Sequence, residues 1–191
     1  MSKTIEKAAT RDAYGRTLVE LGRKYKDIVV LDADLAGSTR TNWFAKEFPD
    51  RFFDCGIAEE NLITIAAGLA TCGKIPFTST FAVFATERAY NQIRQTIAYP
   101  KLNVKIVCTH SGITVGPDGT SHQTTWDVAI MRAMPNMTVL VPADAPETTE
   151  AVKAIVEYDG PVYMRLGRTP SRVFYGENYS YKGTKQKFEI G

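Results

Sequence analysis

Six short runs of β-branched and aromatic residues recur along this chain, each parted from the next by a stretch with helical character. The strands are expected at residues 28–31, 52–55, 75–79, 104–108, 138–141 and 162–166. Helices are expected at 11–26, where Leu18, Val19, Leu21 and Tyr25 supply the apolar positions, and at 43–48, halted by Pro49. Further helices are expected at 59–71, 82–98, 127–134 and 146–157, the last opened by Pro146, since proline suits a first helical turn. Parallel strands need long crossovers, usually helical, so this alternation predicts a mostly parallel six-stranded sheet covered on both faces: α/β, three layers α/β/α. No internal repeat interrupts it.

One helix stands out. Residues 59–71 are apolar nearly all round, through Leu62, Ile63, Ile65, Ala66 and Leu69, and Gly73 follows. Such a helix is expected to be buried, in part against another subunit. Beyond residue 168 the alternation ends. Residues 169–191 are rich in Tyr, Lys and Gly, without periodicity, and are expected to be a linker or tail after a single domain at 1–168.

Composition narrows the function classes. A chain of 191 residues, 44% hydrophobic and 23% charged, suits one domain with a substantial core. A net charge of +2 gives no reason to expect nucleic acid or an anionic membrane as partner. No apolar run is long enough to span a bilayer, and the N-terminal residues are polar, without a signal-peptide pattern. Cys55, Cys72 and Cys108, odd in number and scattered, fit a reducing cytoplasm and are expected to be small buried hydrophobes.

In open parallel sheets, ligands bind beyond the carboxyl ends of the strands. The unusual residues fall there: Asp34 and Ser38 after the first strand, Glu59 after the second, Thr80 and Phe81 after the third, His110 after the fourth and Arg168 after the sixth. Arg11 is the exception, preceding the first helix. The loop 111–126 is long and punctuated by glycine, and both histidines of the protein lie at it, His110 before it and His122 within it. Long ordered loops on rigid scaffolds are usually functional. Each residue also has a plainer account. Glu59 and Glu60 suit the positive end of a helix dipole, Phe81 and Phe84 suit a core, and arginines suit a solvated surface. Zinc at Cys108, His110 and His122 matches no strong metal spacing.

An ordered set of motifs decides between these accounts. Ala9-Thr10-Arg11, Ala33-Asp34-Leu35-Ala36-Gly37-Ser38, Gly56-Ile57-Ala58-Glu59, Ser79-Thr80-Phe81, Thr109-His110-Ser111 and Gly116-Pro117-Asp118-Gly119-Thr120-Ser121-His122-Gln123 together resemble the pyrimidine-binding domain of transketolases over about residues 8 to 170. The resemblance implies a thiamine-diphosphate-binding fold. It implies that Glu59 hydrogen-bonds the ring nitrogen of the cofactor's aminopyrimidine and starts a proton relay. Phe81 and Phe84 would pack on that ring, and Asp34 would stand near the thiazolium. Arg11, Ser38, His110 and Arg168 would hold a sugar phosphate. Asp118 and His122 would contact the substrate near its reacting carbon, with His122 a candidate for proton transfer. Glu87 stands where the family carries a larger tyrosine near the pyrimidine, and Ser111 where many members carry an acid.

Nothing in the chain resembles the family's Gly-Asp-Gly…Asn motif, which binds magnesium and the diphosphate. The resemblance therefore implies an N-terminal, diphosphate-binding partner subunit that carries Mg2+ (or Ca2+), no metal on this chain, and a homodimer or heterotetramer. It further implies that a two-carbon ketol transfer between sugar phosphates occurs only with that partner. A 1-deoxyxylulose-5-phosphate synthase, a 2-oxoacid dehydrogenase β-type subunit and a non-catalytic assembly subunit are the rival readings. His110 favours transketolase over the first.

Overall fold

A computed structural model describes residues 6–175. Strands β2 (Ile28–Asp32), β3 (Phe52–Asp54), β4 (Ile75–Phe81), β5 (Lys105–Thr109), β6 (Thr138–Leu140) and β7 (Val162–Arg165) form one sheet in the order β3-β2-β4-β5-β7-β6, with every pair parallel. Successive strand residues point to opposite faces, and both faces are dry. In β2, Ile28 and Val30 join Tyr14, Leu18, Phe44, Val152 and Ile155 on one side. Val29 and Leu31 join Leu62, Ile63, Ala66, Ile93 and Met131 on the other. Helices α1 (Thr10–Lys24), α3 (Asn42–Glu47) and α7 (Ala145–Glu157) thus cover the first face. Helices α4 (Glu59–Thr71) and α6 (Asp127–Arg132), with the helical segment between β4 and β5, cover the second. This is the three-layer α/β/α arrangement that the alternation implied.

Four details depart from the sequence reading. Residues 82–98 are not one regular helix: π turns at Phe84–Arg88 and Ile93–Ala98 flank α5 (Tyr90–Gln92). Thr86 and Thr96 each donate their hydroxyl to the carbonyl four residues back, Ala82 and Gln92, an interaction that loosens a helical ladder. Helix α4 buries only one stripe in this chain. Leu62, Ile63, Ala66 and Ala67, spaced for one face, are buried, while Asn61, Thr64, Ile65 and Gly68 are exposed. Of the cysteines only Cys108 is buried; Cys55 is half-buried and Cys72, just past the end of α4, is exposed. Strand β4 runs on through Thr80 and Phe81, where Phe81 pairs in register with Thr109, so the sheet itself fixes Phe81.

The stretch expected to be a tail begins in an ordered way. β8 (Ser171–Arg172) pairs antiparallel with β1 (Lys7–Ala8). Asp144, fully buried, explains why the chain turns there. Its Oδ1 caps α7 by accepting from the Glu147 N–H at 3.0 Å, and its Oδ2 accepts from the N–H groups of Phe174 and Tyr175 at 2.8 Å each. The rest of that stretch, 176–191, lies outside the described residues.

Replacing Asp144 removes a helix cap and the acceptor shared by the amides of Phe174 and Tyr175. Asp144→Ala is expected to lower stability by about 2–3 kcal/mol in chemical denaturation. It should also speed hydrogen exchange at the amides of Phe174 and Tyr175; unchanged exchange there would show that the carboxylate does not anchor them.

Candidate active site

The carboxyl end of β2 organises the first part of the site. Asp32 is fully buried, and its oxygens accept from the hydroxyls of Thr39 (2.7 Å) and Thr41 (2.8 Å) and from the N–H of Leu35 (2.7 Å). Burial pushes its carboxyl up to about 6, against the pull of those three donors. The loop tied down in this way presents Leu35, Gly37, Ser38 and Arg40 to a cavity of about 440 Å³.

Arg11, Ser38, Phe81, His110, Asp118, His122 and Arg168, all named from the sequence, line that cavity. Arg11 donates to the Ser38 carbonyl at 2.9 Å, and its Nε is buried without a partner. Burial, and next the nearby Arg40, lower the Arg11 pKa from its ordinary value. Arg168 donates to the Val115 carbonyl at 2.6 Å, which fastens the loop 111–126 to the site. Gly116, at φ +89°, lies directly against that guanidinium, so a side chain there would be strained and would collide with it. Arg40 was not anticipated from the sequence. It holds a left-handed conformation at φ 75°, bridges Asp12 (2.6 Å) and the Gly37 carbonyl (2.8 Å), and adds a third guanidinium to the cavity wall. Three guanidinium groups against the lone acid Asp118 in the lining make a pocket suited to an anion.

His110 follows β5 directly and is held at φ 58°, a conformation that non-glycine residues adopt uncommonly. Its ring stacks on Phe81 at 3.7 Å between centroids and 17° between planes, and Nδ1 lies 2.9 Å from the Thr109 hydroxyl. Burial pushes its pKa down to about 4, with Arg11 and Arg168 adding to the effect, so the ring is neutral near pH 7. His122 ends a short 3-10 turn, Thr120–His122. Its Nδ1 is 2.9 Å from the Ser121 hydroxyl, which leaves Nε2 to face a ligand.

Phe81 and His122 connect the cavity to a second group of residues. Phe81 stacks on Phe84 at 5.7 Å and 13°, and His122 meets Phe84 edge-on at 5.3 Å. Glu59 opens α4 and is buried; its carboxylate lies 3.3 and 3.4 Å from one nitrogen of Arg88, whose guanidinium also sits 4.6 Å from the centre of the Phe84 ring. The sequence put Glu87 at the position of a family tyrosine. Glu87 is exposed, and from the same π turn at Phe84–Arg88 it is Arg88 that meets Phe84 and Glu59. Asp34 is exposed at φ 60°, bonded through its N–H to Asp54, and lies outside the cavity lining. A buried acid beside stacked phenylalanines suits a planar ring with a basic nitrogen, such as an aminopyrimidine. For a metal the donor set is wrong: among the described residues no three of His, Cys, Asp or Glu gather closely enough to hold one.

Comparison with known proteins identifies the family. The family described as "Transketolase, pyrimidine binding domain" matches residues 6–172. A "Putative transketolase C-terminal section" of Methanocaldococcus jannaschii is 58% identical over 181 residues, covering 95% of this chain and 56% of that protein. Human transketolase is 39% identical over 181 residues, covering 94% of this chain and 29% of its own length. A solved structure described as "Split gene transketolase, inactive beta4 tetramer" superposes with a TM-score of 0.83 at 56% identity, covering 92% of this chain and 57% of the other. This chain therefore spans a little over half of the split relatives and under a third of the human enzyme.

The cationic pocket gives His110 a readable signature. Its ring carbon resonance should titrate near pH 4, below the usual value for histidine, because burial and two arginines oppose its charged form. An anion bound among those arginines favours that charged form, so saturating inorganic phosphate should move the midpoint upward. A midpoint unmoved by phosphate would show that the pocket takes no anion.

Proposed function

Since the chain belongs to the transketolase pyrimidine-binding domain family, we propose that it is the half of a split transketolase that receives the aminopyrimidine of thiamine diphosphate and the sugar phosphate. With a diphosphate-binding chain it transfers a two-carbon ketol unit from a ketose phosphate to an aldose phosphate. The reading rests on one observation above all. A buried acid and a stacked phenylalanine pair adjoin a pocket walled by three arginines, through the shared side chains Phe81 and His122.

The roles follow from the surroundings. Thiamine diphosphate, when bound, supplies the carbanion chemistry at its thiazolium ring. Glu59 would supply and hold a proton at the pyrimidine ring nitrogen; its helix begins there and its carboxyl group is shielded from water. Phe81 and Phe84 provide the apolar platform. Arg11 and Arg168 donate charge-assisted bonds to the phosphate oxygens, and Ser38 and neutral His110 add hydrogen bonds without adding charge. His122, on the neighbouring loop, can move a proton at the substrate oxygen through Nε2, with Asp118 orienting a hydroxyl. Asp34 belongs near the thiazolium, a place that the partner chain would complete.

That partner carries the diphosphate and its Mg2+ or Ca2+. The outer face of α4, with Ile65 and the nearby Ile57 (75% exposed), is the surface expected to close against another subunit, in a homodimer or heterotetramer. The split-gene relative described as an inactive tetramer is consistent with a chain that needs its partner to work. The reaction proposed is a cytoplasmic one, within pentose phosphate metabolism.

Reconstitution tests the reading. With its diphosphate-binding partner, thiamine diphosphate and magnesium, the chain should transfer ketol units, and Glu59→Gln should lower kcat by about 100-fold or more. Full activity in the Glu59→Gln complex, or ketol transfer by the purified chain alone, contradicts it. Arg168→Met should raise KM for the phosphorylated donor by about 10-fold with a smaller change in kcat.

A further inference from the structure

Among the described residues, the Glu59 carboxylate has one polar neighbour, Arg88. The two side chains differ sharply in exposure: Glu59 is 5% exposed and Arg88 is 54% exposed. A buried carboxylate without a partner is costly, which gives the guanidinium a reason to lie there. Its grip is weak all the same. A single nitrogen is shared between both oxygens at 3.3 and 3.4 Å, well beyond the length of a strong charge-assisted bond. Its other support is the Phe84 ring, 4.6 Å away.

We propose that Arg88 is a displaceable occupant of the pyrimidine site, a planar cation resting on Phe84 and donating to Glu59 until the cofactor ring takes both. The inference rests on the function proposed above and adds a control to the same site. Phe84 already gives part of its surface to Phe81 by stacking and meets His122 at its edge. What remains for a planar ligand is what Arg88 covers. A flat, delocalised guanidinium copies the two features the ring would use, a π face and an N–H donor. The π turn at Phe84–Arg88 is what aims it there. Because Arg88 is largely in solvent, it can swing outward at little cost, while the buried acid and the stacked phenylalanines stay in place. Arg88 thus keeps the acid partnered in the absence of cofactor and sets a threshold for cofactor entry.

The experiment is calorimetric titration of thiamine diphosphate with magnesium into the complex of the full chain and its diphosphate-binding partner. Arg88→Met removes the competitor and should tighten binding roughly three- to tenfold. Arg88→Lys keeps the charge but loses the flat stacking face, and should fall between the two. Binding by Arg88→Met that is equal to or weaker than the parent overturns the proposal, and would make Arg88 a support for Glu59 instead. Glu59→Gln, titrated in parallel, separates the two levels of the argument. If it weakens binding while Arg88→Met fails to tighten it, only the role of Arg88 falls. If it binds as the parent does, the reading of the site itself falls.

Discussion

All six strands of the main sheet run in the same direction, and most of the rest is a consequence of that constraint. Each parallel step requires the chain to return across a face of the sheet, so both faces become covered and dry. The loops leaving the strands then gather at one edge. Asp32, Phe81, Thr109 and Arg165 end their strands there, and the residues that follow them build the candidate site. The interior supplies rigidity: β4 and β5 pair Phe81 with Thr109, so the stack of Phe81 on His110 is anchored in the sheet at one end and beside it at the other.

Charge and apolar surface meet at Phe81. On one side lie Arg11, Arg40, Arg168 and a histidine kept neutral by burial; on the other lie Phe84 and the buried acid Glu59. Neutral His110 matters to this balance, since a further cation there would be opposed by Arg11 and Arg168. Asp32, outside the cavity lining, steadies the wall: three donors on its carboxylate hold the loop that carries Ser38 and Arg40. The two halves of the site are therefore joined by packing through Phe81, while Asp118 and Arg88 stand exposed at their rims.

The elements most legible in the sequence were those with the plainest physics. The apolar runs at 28–31 and 104–108 announced the buried strands Ile28–Asp32 and Lys105–Thr109, and the helix opened by Glu59 began where the reading put it. The loop 111–126 and both histidines were found from glycine spacing and position, and the structure brings them to one cavity. Local hydrogen bonding was harder to see. Thr86 and Thr96 look like ordinary helix residues, yet their hydroxyls accompany π turns that shift which side chain faces Glu59. That shift concealed Arg88. Arg40 carried no motif; it ends the short helix at Ala36–Thr39 in a left-handed turn, bonded locally to Gly37 and across the fold to Asp12. The cap at Asp144 could have been found, since Asp144 and Glu147 have the spacing of a capping pair. The exposed side of α4 was hidden from the sequence reading because Ile65 and Leu69 look as apolar as the residues that the helix buries.

The most direct test of the central claim is a crystal structure of this chain with its diphosphate-binding partner, thiamine diphosphate and magnesium. The account expects the aminopyrimidine on the Phe84 platform, its ring nitrogen within hydrogen-bonding distance of Glu59, and the metal held by the partner. A pyrimidine ring bound away from Glu59, or a metal ligated by this chain, would contradict it.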